Sequence, residues 1–223
     1  MPASTVHRVL VRHHLNRLSA LDRPTGRRVR RYEVARPGQL LHVDTKQLAK
    51  IPPGGGWRIH GRGPTTAAQK RRRIGYEHLH AAVDDHTRLA YVEVHETNNG
   101  PDSAAFITRA IDWFASLGIT VEAVMTDNHF SYVNSTVFQQ ALADAGVRHV
   151  RIPPRRPQVN GKVERFNRTM LDEWAYAMLF TRNQDRRRAL DRWLHDYNHH
   201  RTHTALGGLP PISRVDNLTG HNI

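Results

Sequence analysis

The order in which hydrophobic periods change along the chain constrains its fold most. Glu77 to Asp84 and Leu89 to His95 read as two strands. Only Asp85-His86-Thr87-Arg88 separates them, so the pair predicts a hairpin. Pro101 to Leu117 then carries apolar residues at 106, 107, 110, 111 and 114, one helical stripe with Pro at its start and Gly118 past its end. Ile119 to Thr126 predicts a strand, Asn134 to Ala145 a helix ended by Gly146, and Val147 to Ile152 a strand stopped by Pro153-Pro154. A helix carrying Glu164 is expected to run to about Phe180, and another from about Gln184 to His199. Upstream, residues 39–51 predict a strand, broken by Pro52-Pro53-Gly54-Gly55-Gly56, and a basic, Gly-rich stretch to about Ile74 predicts a long loop. Hairpin, strand–helix alternation and closing helices together make an α/β chain.

Residues 1–35 differ. Apolar positions 6, 10, 11, 15 and 18 follow helical spacing, and Asp22-Arg23-Pro24-Thr25-Gly26 with the following arginines reads as a linker. This helix alone cannot fold, so it is expected to be the last helix of a helical domain. The expected division is 1–35 N-terminal helix and linker, 36–180 core, and 181–223 C-terminal helix and tail. The apolar run Val9-Leu10-Val11 is too short for a signal peptide and no run reaches about 20 residues, so a cytoplasmic protein is expected. Without cysteine, thiolate zinc sites, disulfides and thiol nucleophiles are excluded.

Charge points to the partner. Thirty-three Lys and Arg stand against 20 Asp and Glu, a net charge of +13. The excess clumps at Arg27 to Arg31, Lys70-Arg71-Arg72-Arg73, Arg155-Arg156 and Arg186-Arg187-Arg188. One basic run can be a solvated face; four along a globular chain favour a polyanion.

Against that background three acids stand out. Asp44 follows Leu40-Leu41-His42-Val43, and Asp127 follows Val124-Met125-Thr126. Both are expected to close strands and to share parity with residues that are partly buried. Glu164 falls at the edge of a stripe made by Val163, Phe166, Met170, Trp174 and Ala177. A buried carboxylate needs a partner, and a divalent cation supplies one for all three. Taken singly, an Asp at a strand end is a turn former and a Glu on a helix is a solvated residue. Asp84, before the hairpin turn, is read as such a turn residue.

The flanking residues carry a resemblance. Thr126-Asp127-Asn128, and the run from Arg151 through Pro157-Gln158-Val159-Asn160-Gly161-Lys162-Val163-Glu164-Arg165-Phe166-Asn167, resemble the integrase catalytic core shared by retroviral integrases and bacterial insertion-sequence transposases. The 36 residues between Asp127 and Glu164 (128–163) match that family's spacing of about 35. The stretch from Tyr197-Asn198 to Pro210-Pro211 resembles the signature that closes such transposases. Two departures stand: His129 replaces a glycine found in some cores, and there is no retroviral zinc module.

The resemblance implies an RNase H-like, mixed five-stranded sheet flanked by helices. It implies a DDE transposase that cleaves and joins transposon ends, with Asp44, Asp127 and Glu164 as catalytic triad and as ligands of Mg²⁺ or Mn²⁺. Double-stranded DNA and a homo-oligomer on DNA follow as partners, in the cytoplasm at the nucleoid. Lys70, Arg71, Arg72, Arg73, Arg155 and Arg156 are expected to bind DNA. Lys162 and Arg165 read either as phosphate contacts or as a solvated helix face, and Asn160 either as a positioning group or as a helix cap. His199, His200 and His203 are expected to be structural or to contact DNA, and Trp113, Trp174 and Trp193 to pack. The alternatives are a nuclease that cuts without joining, or an inactive, truncated DNA-binding remnant with its inverted-repeat recognition weakened.

Overall fold

The computed structural model describes residues 2–13, 16, 33–61, 74–153 and 157–215. The chain divides into two compact units, 1–33 and 34–223. In the first, the predicted helix is α1 (Ala3–Arg12); most of residues 14–32, including the predicted linker, lies outside the described residues.

The second unit is built on a five-stranded sheet. Its strands are β1 (Leu41–Ala49), β2 (Tyr76–Asp84), β3 (Ala90–His95), β4 (Ala123–Thr126) and β5 (Arg148–Arg151), in the order β3-β2-β1-β4-β5. β1, β2 and β3 pair antiparallel, β2 and β3 through the predicted hairpin. β4 and β5 pair parallel, β4 against β1 and β5 against β4. Parallel neighbours need crossovers. Helix α3 (Gly100–Ser116) leads from β3 to β4, and α4 (Phe130–Val133) with α5 (Thr136–Asp144) leads from β4 to β5. Between β1 and β2 lies a short helix, α2 (Trp57–His60). The sheet is thus mixed, with β1 at its centre.

Strand alternation gives the sheet two faces. Leu41, Val43 and Ala82 turn toward Phe106, Ile107, Ala110 and Phe114 of α3 and Phe138 and Leu142 of α5. Leu48, Leu79, Ala81 and Val83 turn the other way. They pack against Val163, Phe166 and Met170 of α6 (Gly161–Met170) and Leu190 and Tyr197 of α7 (Asn183–His199). Each such fully buried large side chain contributes roughly 1.5–3 kcal/mol of transfer free energy.

Two elements differ from expectation for local reasons. The Glu164 helix does not run to Phe180: it passes at Leu171–Ala175 into a π turn. The wider turn shifts the stripe, so Ala175 is buried and Ala177 exposed. β4 begins at Ala123 rather than Ile119 because residues 119–122 run beside the loop before β1. There Glu122 N–H donates to the Gly38 carbonyl at 2.8 Å. Gly38 has φ +77°, and a Cβ on it would stand 2.1 Å from the Thr120 carbonyl oxygen.

Candidate active site

Asp44 does not close its strand. It is the fourth of nine residues in β1, opposite Ala81 of β2, and the strand continues to Ala49, within the span expected over residues 39–51. His42 of β1 lies opposite Met125 of β4. Carrying that parallel register two residues on brings Asp127, just past the end of β4, level with Asp44 and on the same face. Adjacent strands run about 4.8 Å apart. Helix α6 crosses this face with Val163, Phe166 and Met170 turned into the core. Glu164, in its first turn, is exposed, whereas Asn167 is buried and donates from Nδ2 to Asp44 Oδ2 at 2.8 Å.

The electrostatics register this gathering. Burial first, and then the charge of Asp127, push the Asp44 carboxyl from 3.8 up to about 6. The Thr45 backbone hydrogen bond opposes the shift, Glu164 adds to it, and the Asn167 amide opposes it more weakly. Burial also raises Glu164, against the nearby Lys46 ammonium. On the other side of β1, burial raises the Tyr132 phenol, its hydrogen bond to Thr45 Oγ1 (2.7 Å) opposes, and the charges of Asp44 and Asp127 add to the rise. Asp127 is fixed by its own turn: Oδ1 accepts from His129 N–H at 2.9 Å, and Asn128 Nδ2 donates to the Ile152 carbonyl at 2.9 Å. His129 has an ordinary φ of −64°, so the turn needs no glycine.

The donor set suits a hard divalent cation: carboxylate oxygens that repel one another, and no thiolate. Asn167 Oδ1, buried next to Asp44, has no hydrogen-bond partner among the described residues, and a bound cation or its water would satisfy it. Among the described residues no three His, Asp or Glu side chains yet stand close enough to hold an ion.

Other expected site residues divide sharply. Lys70, Arg71, Arg72, Arg73, Arg155 and Arg156 lie outside the described residues. Arg165 is exposed on α6. Asn160 precedes α6 but makes no side-chain cap. Its Oδ1 faces His42 Nδ1 at 3.0 Å and its Nδ2 donates to the Val43 carbonyl at 3.3 Å. Lys162 Nζ is tied to Asp85 Oδ1, so its ammonium already has an anionic partner. The Asp84 carboxylate is occupied by the hairpin, accepting from Gly38 N–H, His86 N–H, Thr87 N–H and Thr87 Oγ1. Of the arginine run 186–188, Arg186 and Arg187 both bind Glu77, at 2.7 and 2.6 Å. Sequence reasoning passed over Asn167, Tyr132, His42 and Asp85. Asn167 was legible, because it sits three residues after Glu164 and shares its helix face.

The chain matches the integrase core domain family over residues 34–157, and a second integrase core domain description over 145–211. It is 25% identical over 201 residues to a protein of Spiroplasma virus SpV1-C74 named "Putative integrase ORF3", covering 85% of this chain and 50% of that one. It is 31% identical over 135 residues to an uncharacterized 39.2 kDa protein of insertion element IS476 from Xanthomonas euvesicatoria, covering 60% of this chain and 38% of that one. The chain therefore spans half or less of the length of these relatives. Its fold is similar to a chain of the simian T-cell lymphotropic virus intasome (TM-score 0.63, 18% identity, 86% of this chain and 59% of that one). It is also similar to the catalytic core domain of BIV integrase (0.56, 18%, 81% and 96%) and to the HTLV-2 integrase catalytic core solved with magnesium (0.55, 16%, 81% and 97%). These likenesses identify the sheet and its helices as the RNase H-like fold of retroviral integrase cores. With a match that extends over more than half its length, the chain belongs to the integrase core domain family.

Proposed function

We propose that this chain is a polynucleotidyl transferase that cuts DNA ends and joins them to target DNA in a metal-dependent reaction of the DDE transposase type. One observation supports the proposal: Asp44 in β1 and Asp127 just past β4 lie level on one face of the sheet, and α6, which carries Glu164 in its first turn, crosses that face with Asn167 Nδ2 donating to Asp44 Oδ2. Asp44, Asp127 and Glu164 would hold Mg²⁺ or Mn²⁺. When bound, such ions lower the barrier for in-line attack on a phosphodiester by stabilising charge on the entering and leaving oxygens.

The chain's own residues do the rest. Asn167 holds Asp44 in one rotamer through Oδ2, and the His129 N–H does the same for Asp127 through Oδ1. Arg165, exposed one residue after Glu164, would meet a phosphate, and the net charge of +13 supplies the general attraction of a polyanion. Lys70 to Arg73 and Arg155-Arg156 extend that attraction. Double-stranded DNA is thus the proposed substrate. The relatives solved as an intasome and as dimeric and trimeric forms support an oligomer as the working species.

The test is a labelled DNA end incubated with supercoiled plasmid and Mn²⁺ or Mg²⁺. The proposal expects a joined product from the wild type and none from Asp127→Asn, with DNA affinity unchanged. Cut but unjoined DNA would instead favour a plain nuclease. Wild-type protein that binds DNA but does neither would point to an inactive remnant.

A further inference from the structure

Beside the carboxylates, on the same face of β1, lies a buried ionic assembly that the proposed reaction does not use. Its hub is Asp85, the residue after β2, fully buried. Asp85 Oδ1 meets His42 Nε2 at 2.7 Å and also takes the Lys162 ammonium. Oδ2 accepts from Val34 N–H at 2.8 Å. His42, fully buried too, turns its other ring nitrogen to Asn160 Oδ1, and Asn160 in turn grips the Val43 carbonyl. Both ring nitrogens of His42 therefore face oxygens. Burial pushes the Asp85 carboxyl up, but the hydrogen bonds from His42, Lys162 and Val34 outweigh it and hold it at about 2, so the hub is a carboxylate.

The positions of these partners matter more than their number. His42 lies two residues before Asp44 on β1, and Val43 is its immediate neighbour. Asn160 and Lys162 lie four and two residues before Glu164. One carboxylate thus fastens together the two elements that carry Asp44 and Glu164, within one turn of each. Buried ion pairs are weak stabilisers compared with apolar packing of the same volume; their best-attested use is to specify one arrangement. Groups that orient metal ligands from behind are commonly worth about 10–100-fold in metal affinity or activity.

We propose that Asp85, with Lys162, His42 and Asn160, is a positioning clamp that sets the start of α6 against β1 and so the separation of Glu164 from Asp44, and that Lys162 serves this clamp rather than a DNA phosphate. The inference rests on the functional reading above. The test measures four quantities on wild type, Lys162→Met, Lys162→Arg and Asp85→Asn: Mn²⁺ affinity by electron paramagnetic resonance, end joining at saturating DNA, the salt dependence of DNA binding, and Tm. The clamp predicts that Lys162→Met and Asp85→Asn weaken Mn²⁺ binding by about 10–100-fold and slow joining to match. Lys162→Arg should recover most of both, and the salt slope should not move. Should Lys162→Met fail to fold, Asp85→Asn and the rescue by Lys162→Arg carry the same comparison. A Lys162→Met protein with unchanged Mn²⁺ affinity and a salt slope shallower by about 0.9 would make Lys162 a phosphate contact and overturn the clamp. A fall in Tm with Mn²⁺ affinity and joining intact would also overturn it, as mere structural support. If wild type binds Mn²⁺ but joins nothing, the functional reading falls while Mn²⁺ affinity still decides the clamp. If wild type binds no Mn²⁺, both fall.

Discussion

Replacing Asp44 with Asn should make the metal-free protein more stable, and the size of the gain follows from its surroundings. Burial and the charges of Asp127 and Glu164 hold the Asp44 carboxyl near 6 rather than 3.8. The native state therefore binds the Asp44 proton more tightly than the unfolded chain does. Its stabilising effect is fully present below about pH 4 and is lost as pH rises through about 6. At about 1.36 kcal/mol per pH unit, the loss by pH 7.5 is at most about 3 kcal/mol. Asparagine keeps the shape and an acceptor for Asn167 but carries no charge. In EDTA at pH 7.5 the variant should gain about 1–3 kcal/mol, or about 2–12 °C in Tm for a chain of this size. At pH 4 the two proteins should melt together. Melting followed by circular dichroism across that range, with and without Mg²⁺, measures both arms; Mg²⁺ should raise the Tm of wild type only. A variant no more stable than wild type at pH 7.5, or equally favoured at pH 4, would refute the argument that these three carboxylates share one field.

Two further outcomes are expected. Arg186→Met should destabilise the fold by about 3 kcal/mol in urea titrations, because it removes one of the two guanidinium partners of the fully buried Glu77. Neutralising Lys70 to Arg73 should weaken DNA binding and flatten its salt dependence by about 0.9 for each phosphate left without a cationic side chain, with Mn²⁺ affinity unchanged; an unaltered slope would remove that run from the interface.

Much of the architecture was legible because it rests on local chemistry. The hairpin at Asp85 to Arg88, the stripe of α3 and the glycine after it are properties of neighbouring residues. What was not legible depends on contacts distant in sequence. The parallel pairing of β1 with β4, which sets Asp44 level with Asp127, joins residues far apart in the chain. The π turn at Leu171–Ala175 follows from packing on α7, where Trp174 Nε1 donates to the Arg186 carbonyl at 2.9 Å. Charge misled in one direction. Lys162, Arg186 and Arg187 read as basic surface, but each binds an anion, and their partners Asp85 and Glu77 are 77 and 109 residues away from Lys162 and Arg186. Asn198, part of the closing signature, pairs with the backbone of edge strand β3 at Ala90 through both its amide atoms at 2.9 Å, so there the motif holds the fold together.

Asp44, Asp127 and Glu164 are proposed to share one metal ion. Anomalous scattering from a crystal of the protein soaked in Mn²⁺ tests this directly. The account predicts density between the carboxylates of Asp44 and Asp127, with Glu164 turned toward it, and none in Asp127→Asn. Mn²⁺ density elsewhere, or none at saturating metal with the pair open to solvent, would contradict it.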